Sequence, residues 1–370
     1  MTSTTRLLKL APLAIATTIA AGCDHADDLD VQTDDFDIEF RGGDYKTTPQ
    51  KLNTGYLGEE DLPINHMPMV AGTDDEVEIL DITAERCRDS AGATLAGTFS
   101  RALTGLPVDV PLSNKGKLRS MLVADTTDPS IVCTVRGGHW ENTEWEIRAE
   151  YEIEGTVETI ETDLRLVDVD KDEYGVPLYQ FKVNYPRVNP EYAGEIEYHN
   201  TCDEDEDPEN DMHSHHAYLL PNRSVQANGD FQDTPNTMYM ACLSGAVGKA
   251  QNFGYSQYMG DGVHELATRM VRADYCGDGQ PHTVAGTPIW LQDTMSIHGE
   301  ETPVGPHDRE AIWSVNAGRA LCLDTQRLGG DDPVVCTPVG GGNPVPLPAC
   351  DDQMSGEITT IVPTFIEITL

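Results

Sequence analysis

Nine cysteines lie in this chain, and eight of them are spread between residues 87 and 350 behind a leader that carries the marks of export. No other feature limits the fold as much, because thiols in an oxidising compartment pair, and pairs over such spans staple distant segments together. The leader reads "MTSTTRLLK", with Arg6 and Lys9 and no acid, then "LAPLAIATTIAAG", then the acidic "CDHADDLD". That is the charge layout of a secretory signal. The apolar stretch falls short of the roughly 20 residues that a bilayer span requires, so it is not read as a resident transmembrane helix. Ala20, Ala21 and Gly22 precede Cys23 as small residues do in a bacterial lipobox, with Ile19 one place earlier than the usual large apolar residue. Cleavage there makes residues 1–22 a lipoprotein signal peptide and leaves Cys23 lipidated. The alternative is an ordinary signal peptide cleaved nearby, with Cys23 spare.

Giving Cys23 to lipid leaves Cys87, Cys133, Cys202, Cys242, Cys276, Cys322, Cys336 and Cys350, an even set. No CxxC pair occurs, so zinc ribbons and thioredoxin-like redox sites have no support, and the eight are read as disulfide cysteines. Cys322 and Cys336, which flank the polar stretch "LDTQRLGGDDPVV", are the expected partners of one bridge. The formal charge is -39, and losing Arg6 and Lys9 with the signal takes it to -41. Such a surface repels phosphate backbones and anionic headgroups, which excludes nucleic acid and a basic membrane patch. The partners left are the bilayer, through acyl chains on Cys23, and an extracytoplasmic ligand or protein.

Composition divides the chain. Residues 23–79 open as an acidic tether, "DHADDLDVQTDDFD", too poor in apolar residues to pack, and continue as a lead-in. Residues 80–195 read as a β-rich domain. In "TEWEIRAEYEI", Trp145, Ile147, Ala149, Tyr151 and Ile153 alternate with charged residues, and "DLRLVDV" and "YQFKVNY" repeat the pattern around a "DVDKDEYG" turn. Residues 196–350 change texture, since Ala246 and Val247, then Val263, Leu266, Ala267, Met270 and Val271, fall at helical spacings. Residues 351–370 form a β-prone tail. The expected fold class is therefore α+β: a β-rich N-terminal domain followed by a compact disulfide-containing domain of short helices, strands and loops.

The run "MYMACLSGAVGKAQNFGY" followed by "HELATRMVRADYCGDGQPHTVAGTPI" resembles the ADYC-domain family of bacterial exported proteins and lipoproteins. The motif stands here as Ala273, Asp274, Tyr275 and Cys276, and the resemblance covers about 195–340. It implies a fold family and no particular activity. The family pattern has cysteines where this chain has Ala250 and Ala267, and their joint absence implies that those two positions pair in relatives.

Several arrangements could carry chemistry. In the 272–289 loop, Asp274, Asp278 and His282 are candidate ligand or catalytic groups, against the reading that Gly277, Gly279 and the aspartates simply build a tight corner. "HELAT" lacks a zincin's second histidine, because Thr268 stands four residues after His264. No G-x-S-x-G elbow occurs. Cys276 with His282 or His264 could form a nucleophile pair, but a disulfide at Cys276 is the stronger expectation. Asp168, Asp170 and Asp172 alternate as in a calcium loop, yet Glu173 and Tyr179 occupy the places of its glycine and bidentate glutamate. His213, His215 and His216 beside Asp211 could hold zinc, copper or nickel. No cofactor is predicted, with calcium or zinc as the possible cation. The functional expectation is a cell-envelope, membrane-anchored lipoprotein whose disulfide-stabilised domain binds an unknown ligand. The alternative is an exported hydrolase using Asp274 and Asp278 as acid and base.

Overall fold

A computed structural model of the chain describes residues 51–58, 66–70, 77–153, 156–184, 198–205, 213–260, 262–299, 305–329, 332–338 and 341–364. The leader, Cys23 and the acidic tether lie outside the described residues. Among the described residues twelve strands precede the first α-helix: β1 (Lys51–Leu52), β2 (His66–Pro68), β3 (Val77–Arg88), β4 (Thr94–Ser100), β5 (Met121–Asp125), β6 (Val132–Val135), β7 (Thr143–Ile153), β8 (Thr156–Lys171), β9 (Pro177–Asn184), β10 (Tyr198–Asn200), β11 (Ala217–Val225) and β12 (Phe231–Cys242). Two helices follow, α1 (Ala246–Asn252) and α2 (Val263–Val271). The rest is again β: β13 (Pro288–Asp293), β14 (His307–Ser314), β15 (Arg319–Leu323), β16 (Val335–Cys336), β17 (Val345–Pro346) and β18 (Ile358–Pro363).

Eleven strands join in one antiparallel sheet ordered β2-β12-β11-β9-β8-β7-β3-β4-β5-β6, with β10 hydrogen-bonded to β9. Its inner face follows from period two. Trp145, Ile147 and Ala149 of β7, Leu164 and Leu166 of β8 and Phe181 of β9 are all 0% exposed, and Trp145 meets Phe181 edge to face at 5.4 Å. A second sheet, ordered β1-β13-β18-β14-β15, packs Ile289, Trp313, Ile358 and Val362 with the buried stripe of α2 in another cluster. Ala250 and Ala267 are both fully buried in that same cluster.

The α+β expectation is corrected: strand accounts for 44% of the described residues and helix for 9%. The helical spacings are real, but α1 has 7 residues and α2 has 9. The surrounding sequence spends itself on strands whose partners are far away in the chain, which local spacing cannot register. Strands β11 and β12 lie in the same sheet as β3 to β9, and β18, in the C-terminal tail, sits between β13 and β14.

The disulfides are Cys87–Cys133, Cys202–Cys242, Cys276–Cys336 and Cys322–Cys350. All eight downstream cysteines pair, but Cys322 takes Cys350 rather than Cys336. Cys322 lies buried in β15, where the amide of the adjacent Leu323 donates to the carbonyl of Pro348 at 2.9 Å. That contact brings the 348–350 segment alongside the strand. Among the described residues no helix is long and apolar enough to cross a membrane.

Candidate functional site

The 272–289 corner is held from every side. Ala273 takes a left-handed φ of 52°, which swings the chain out of α2. Asp274 is fully buried, and its carboxylate accepts the amides of Asp278 at 3.1 Å and Gly279 at 2.9 Å. Burial pushes its carboxyl up from the ordinary range, and those two amides oppose the shift. The Tyr275 hydroxyl donates to Glu310 at 2.6 Å and accepts the amide of Arg327 at 3.0 Å. The Arg327 guanidinium binds both oxygens of Glu310 and the carbonyls of Met270 and Val271 at 2.8–2.9 Å, which closes the open end of α2. Arg327 and Glu310 are both 0% exposed. Cys276 is bonded to Cys336, Asp278 is exposed, and the His282 ring lies 5.4 Å from Tyr275. The corner thus spends Asp274, Tyr275 and Cys276 on its own structure, and Asp274 and His282 have no shared contact there.

The calcium-like and histidine-rich stretches do meet in space, as two couples whose His213 and His216 rings stand edge to face at 5.1 Å. His213 Nε2 lies 3.0 Å from Asp170 Oδ2, and His216 Nε2 lies 3.2 Å from Asp168 Oδ2. Hydrogen bonding to His213 is the main cause holding the Asp170 carboxyl below its ordinary range, while burial pushes His216 down. His215 turns away to the Cys202 carbonyl at 3.0 Å, and Asp211 lies outside the described residues. Asp172 anchors the β8–β9 turn instead, accepting from the Tyr218 hydroxyl at 2.8 Å and the amides of Tyr174 and Val176. Among the described residues no group of three or more histidine, cysteine, aspartate or glutamate side chains is placed to hold a metal ion.

A concavity lies between the β11–β12 hairpin and the start of α2. A bulge between Pro221 and Arg223, with Asn222 at φ 56°, brings Arg223 opposite Asp233, and the two form an ion pair. Two adjoining cavities of about 220 Å³ each share Arg223, Asp233 and Gln257. One continues past Phe231 to His264 and Glu265, the other past Asn114 to Tyr258. Gly262, at φ 84°, opens α2 beside this groove. Glu265 accepts the amide of Phe231 at 3.2 Å and pairs with Arg269 at 2.7 Å, so the first turn of α2 is tied to the hairpin.

His264 is the distinctive group. Its Nε2–H donates to the Val247 carbonyl at 2.8 Å, and its ring stands edge to face with Phe231 at 5.0 Å. Burial pushes its pKa down to about 4, with Arg223 adding to the shift. The ring is therefore neutral, and the Nε2 bond assigns the remaining lone pair to Nδ1, which is buried without a partner. Sequence reading treated His264 as a failed metal ligand or a partner for Cys276. The available signal was a histidine among the apolar positions of an amphipathic helix. Arg223, Asp233 and Gln257 gave none, because a bulge and two loops bring them together.

The ADYC domain model matches residues 138–329, over half of the chain. The chain belongs to the ADYC-domain family. Its Ala273-Asp274-Tyr275-Cys276 signature is the disulfide-pinned corner, and the match also takes in β7 to β12 of the large sheet. No curated protein and no solved structure matches the chain significantly.

Proposed function

We propose that this ADYC-domain protein is a cell-envelope lipoprotein whose β-rich body is a binding module for a polar extracytoplasmic ligand. The observation that carries the reading is cysteine parity. Four disulfides use every cysteine from 87 onward, which leaves Cys23 as the odd one, directly after the apolar leader. Disulfide bracing fits an oxidising, extracytoplasmic setting. Binding is favoured over hydrolysis because Asp274 is engaged by its own loop, whereas the groove is lined by the Arg223–Asp233 ion pair, by Gln257 hydrogen-bonded to Tyr258, and by the ring of Phe231. Amide, guanidinium, carboxylate and ring together suit a polyhydroxyl ligand such as an envelope oligosaccharide.

The test is fractionation followed by titration. Cys23→Ser should move the protein from the membrane to the soluble fraction, because an acidic surface supplies no second attachment. The released body, titrated with envelope oligosaccharides, should bind, and Arg223→Ala should weaken that binding about tenfold or more, the effect of losing one charge-assisted hydrogen bond. Unchanged membrane partitioning of Cys23→Ser would sink the anchor. Titrations that are flat, or that ignore Arg223, would sink the groove.

A further inference from the structure

We propose that the side chains of Lys249 and Asp205 are joined by an amide bond. Lys249 stands within α1 and Asp205 in the segment after β10. The Lys249 ammonium meets the Asp205 carboxylate where the two side chains are 3% and 0% exposed.

Hydrogen-bond accounting separates this pair from the buried Arg327–Glu310 pair. An ammonium has three N–H donors, and among the described residues the protein gives Lys249 Nζ one acceptor, Asp205 Oδ1. The equally buried Arg327 guanidinium, by contrast, receives both oxygens of Glu310 and two backbone carbonyls. An ammonium taken out of water with too few acceptors does not recover its desolvation cost. An amide in the same place carries no charge and has one N–H to satisfy.

The two ends are also held in place by features that do not depend on their attraction. The Cys202–Cys242 disulfide closes the same two chain segments just ahead of both residues. A Cβ on Gly248 would fall 2.1 Å from the Cys242 carbonyl oxygen, so only glycine lets α1 seat against the end of β12 and bring in its neighbour Lys249. From the other side, the Asp205 amide donates to the Ser214 carbonyl at 3.0 Å. Around Lys249, Ala246, Val247 and Ala250 are all 0% exposed. Fixed apposition of an amine and a carboxyl in an apolar pocket stands in for high concentration and for activation of the acid.

The chemistry is a dehydration. One ammonium proton passes to the carboxylate, giving an amine and a carboxylic acid. The Nζ lone pair attacks Asp205 Cγ, the C–OH bond breaks, and the hydroxyl leaves as water with a second amine proton. Ammonium plus carboxylate becomes amide plus water, with no oxidant, no reductant and no change in total charge. The cross-link is independent of the anchor and of the groove.

The experiment is a tryptic digest of the folded, purified protein after denaturation, reduction and alkylation. The expected product is residues 188–223 branched to residues 224–269, uncut at Lys249 and one water lighter than the two peptides together. Its fragment ions should read from two N-termini, Val188 and Ser224, which distinguishes it from an uncut linear 188–269. Lys249→Arg keeps the ion pair but cannot form the amide, so it should give the linear peptides. Linear 188–223 and 224–249 as the main species from the unaltered protein would overturn the proposal, as would a lost water that maps to other residues. The unaltered protein decides the matter even if the variant does not fold.

Discussion

Removing the Cys276–Cys336 bridge tests whether the ADYC corner is a staple or a reactive site. The bridge spans 60 residues in sequence, with its Cα atoms 5.2 Å apart. Cross-linking a loop of that length removes about 14 cal/mol/K of entropy from the unfolded chain, or about 4 kcal/mol at 25 °C. The paired replacement Cys276→Ser/Cys336→Ser avoids a stray thiol and should lower the unfolding free energy by that amount. The Cys322–Cys350 bridge spans 28 residues, so the matching replacement should cost about 3.5 kcal/mol, and the two costs should rank in that order. The assay is urea denaturation followed by intrinsic fluorescence, reading the midpoint and the slope together. Tyr275 and His282 sharpen the contrast, since a nucleophilic Cys276 would be alkylated in the native, unreduced protein and would lose that reactivity with His282→Ala. A loss below about 1 kcal/mol in the double variant, or a native alkylatable Cys276, would refute the staple.

Two further outcomes follow from buried charge. Arg327→Met leaves Glu310 in the core with the Tyr275 hydroxyl but no counter-ion and should cost about 3–5 kcal/mol in denaturant unfolding; adding Glu310→Leu should restore much of it, and a single-variant loss under about 1 kcal/mol would refute the reading. His264 has a folded pKa of about 4 against the usual 6.5, so its contribution is full above pH 6.5 and is lost as pH falls towards 4. Its share should be about 3 kcal/mol, read as the part of the acid destabilisation that His264→Gln removes from a pH series; burial pushes His216 and His298 in the same direction and leaves a residue in the variant.

Legibility in the sequence followed the range of the interaction. Strands β7 to β9 could be read because alternation is local: Trp145, Ile147 and Phe181 announce their buried face within a few residues. α1 and α2 could be read for the same reason. The sheet around them could not, because β14 pairs with β18 some fifty residues on, and neither strand signals the other. The corner at Asp274 was legible as a turn from its glycines, but its role depended on Glu310 of β14 and on Arg327 in the turn after β15, both distant in the chain. The Cys322–Cys336 expectation failed for the same reason, since short separation is a weaker guide than the hydrogen bond that seats Pro348 against Leu323 of β15. The groove was least legible, because a bulge at Asn222 and the Gly262 turn position its residues without leaving a motif.

The acidic surface and the buried cations belong to one argument. The chain has 24 lysines and arginines against 63 aspartates and glutamates, and Lys51, Lys249, Arg269, Arg272 and Arg327 lie buried. Those five tie internal segments together, and Asp172, Asp205, Asp274 and Glu310 are buried with them, so the outer surface keeps close to the net charge of -39. Self-repulsion of this kind opposes the compact state and weakens with salt. Covalent closure does not depend on salt, which gives the four disulfides a role beside that of the apolar core. The same charge distribution narrows the ligand. Anionic polymers are repelled at every approach, and Arg223 is already paired with Asp233. A neutral polar molecule can enter the groove without meeting that field, and it can use Arg223, Asp233 and Gln257 as hydrogen-bonding groups rather than as charges.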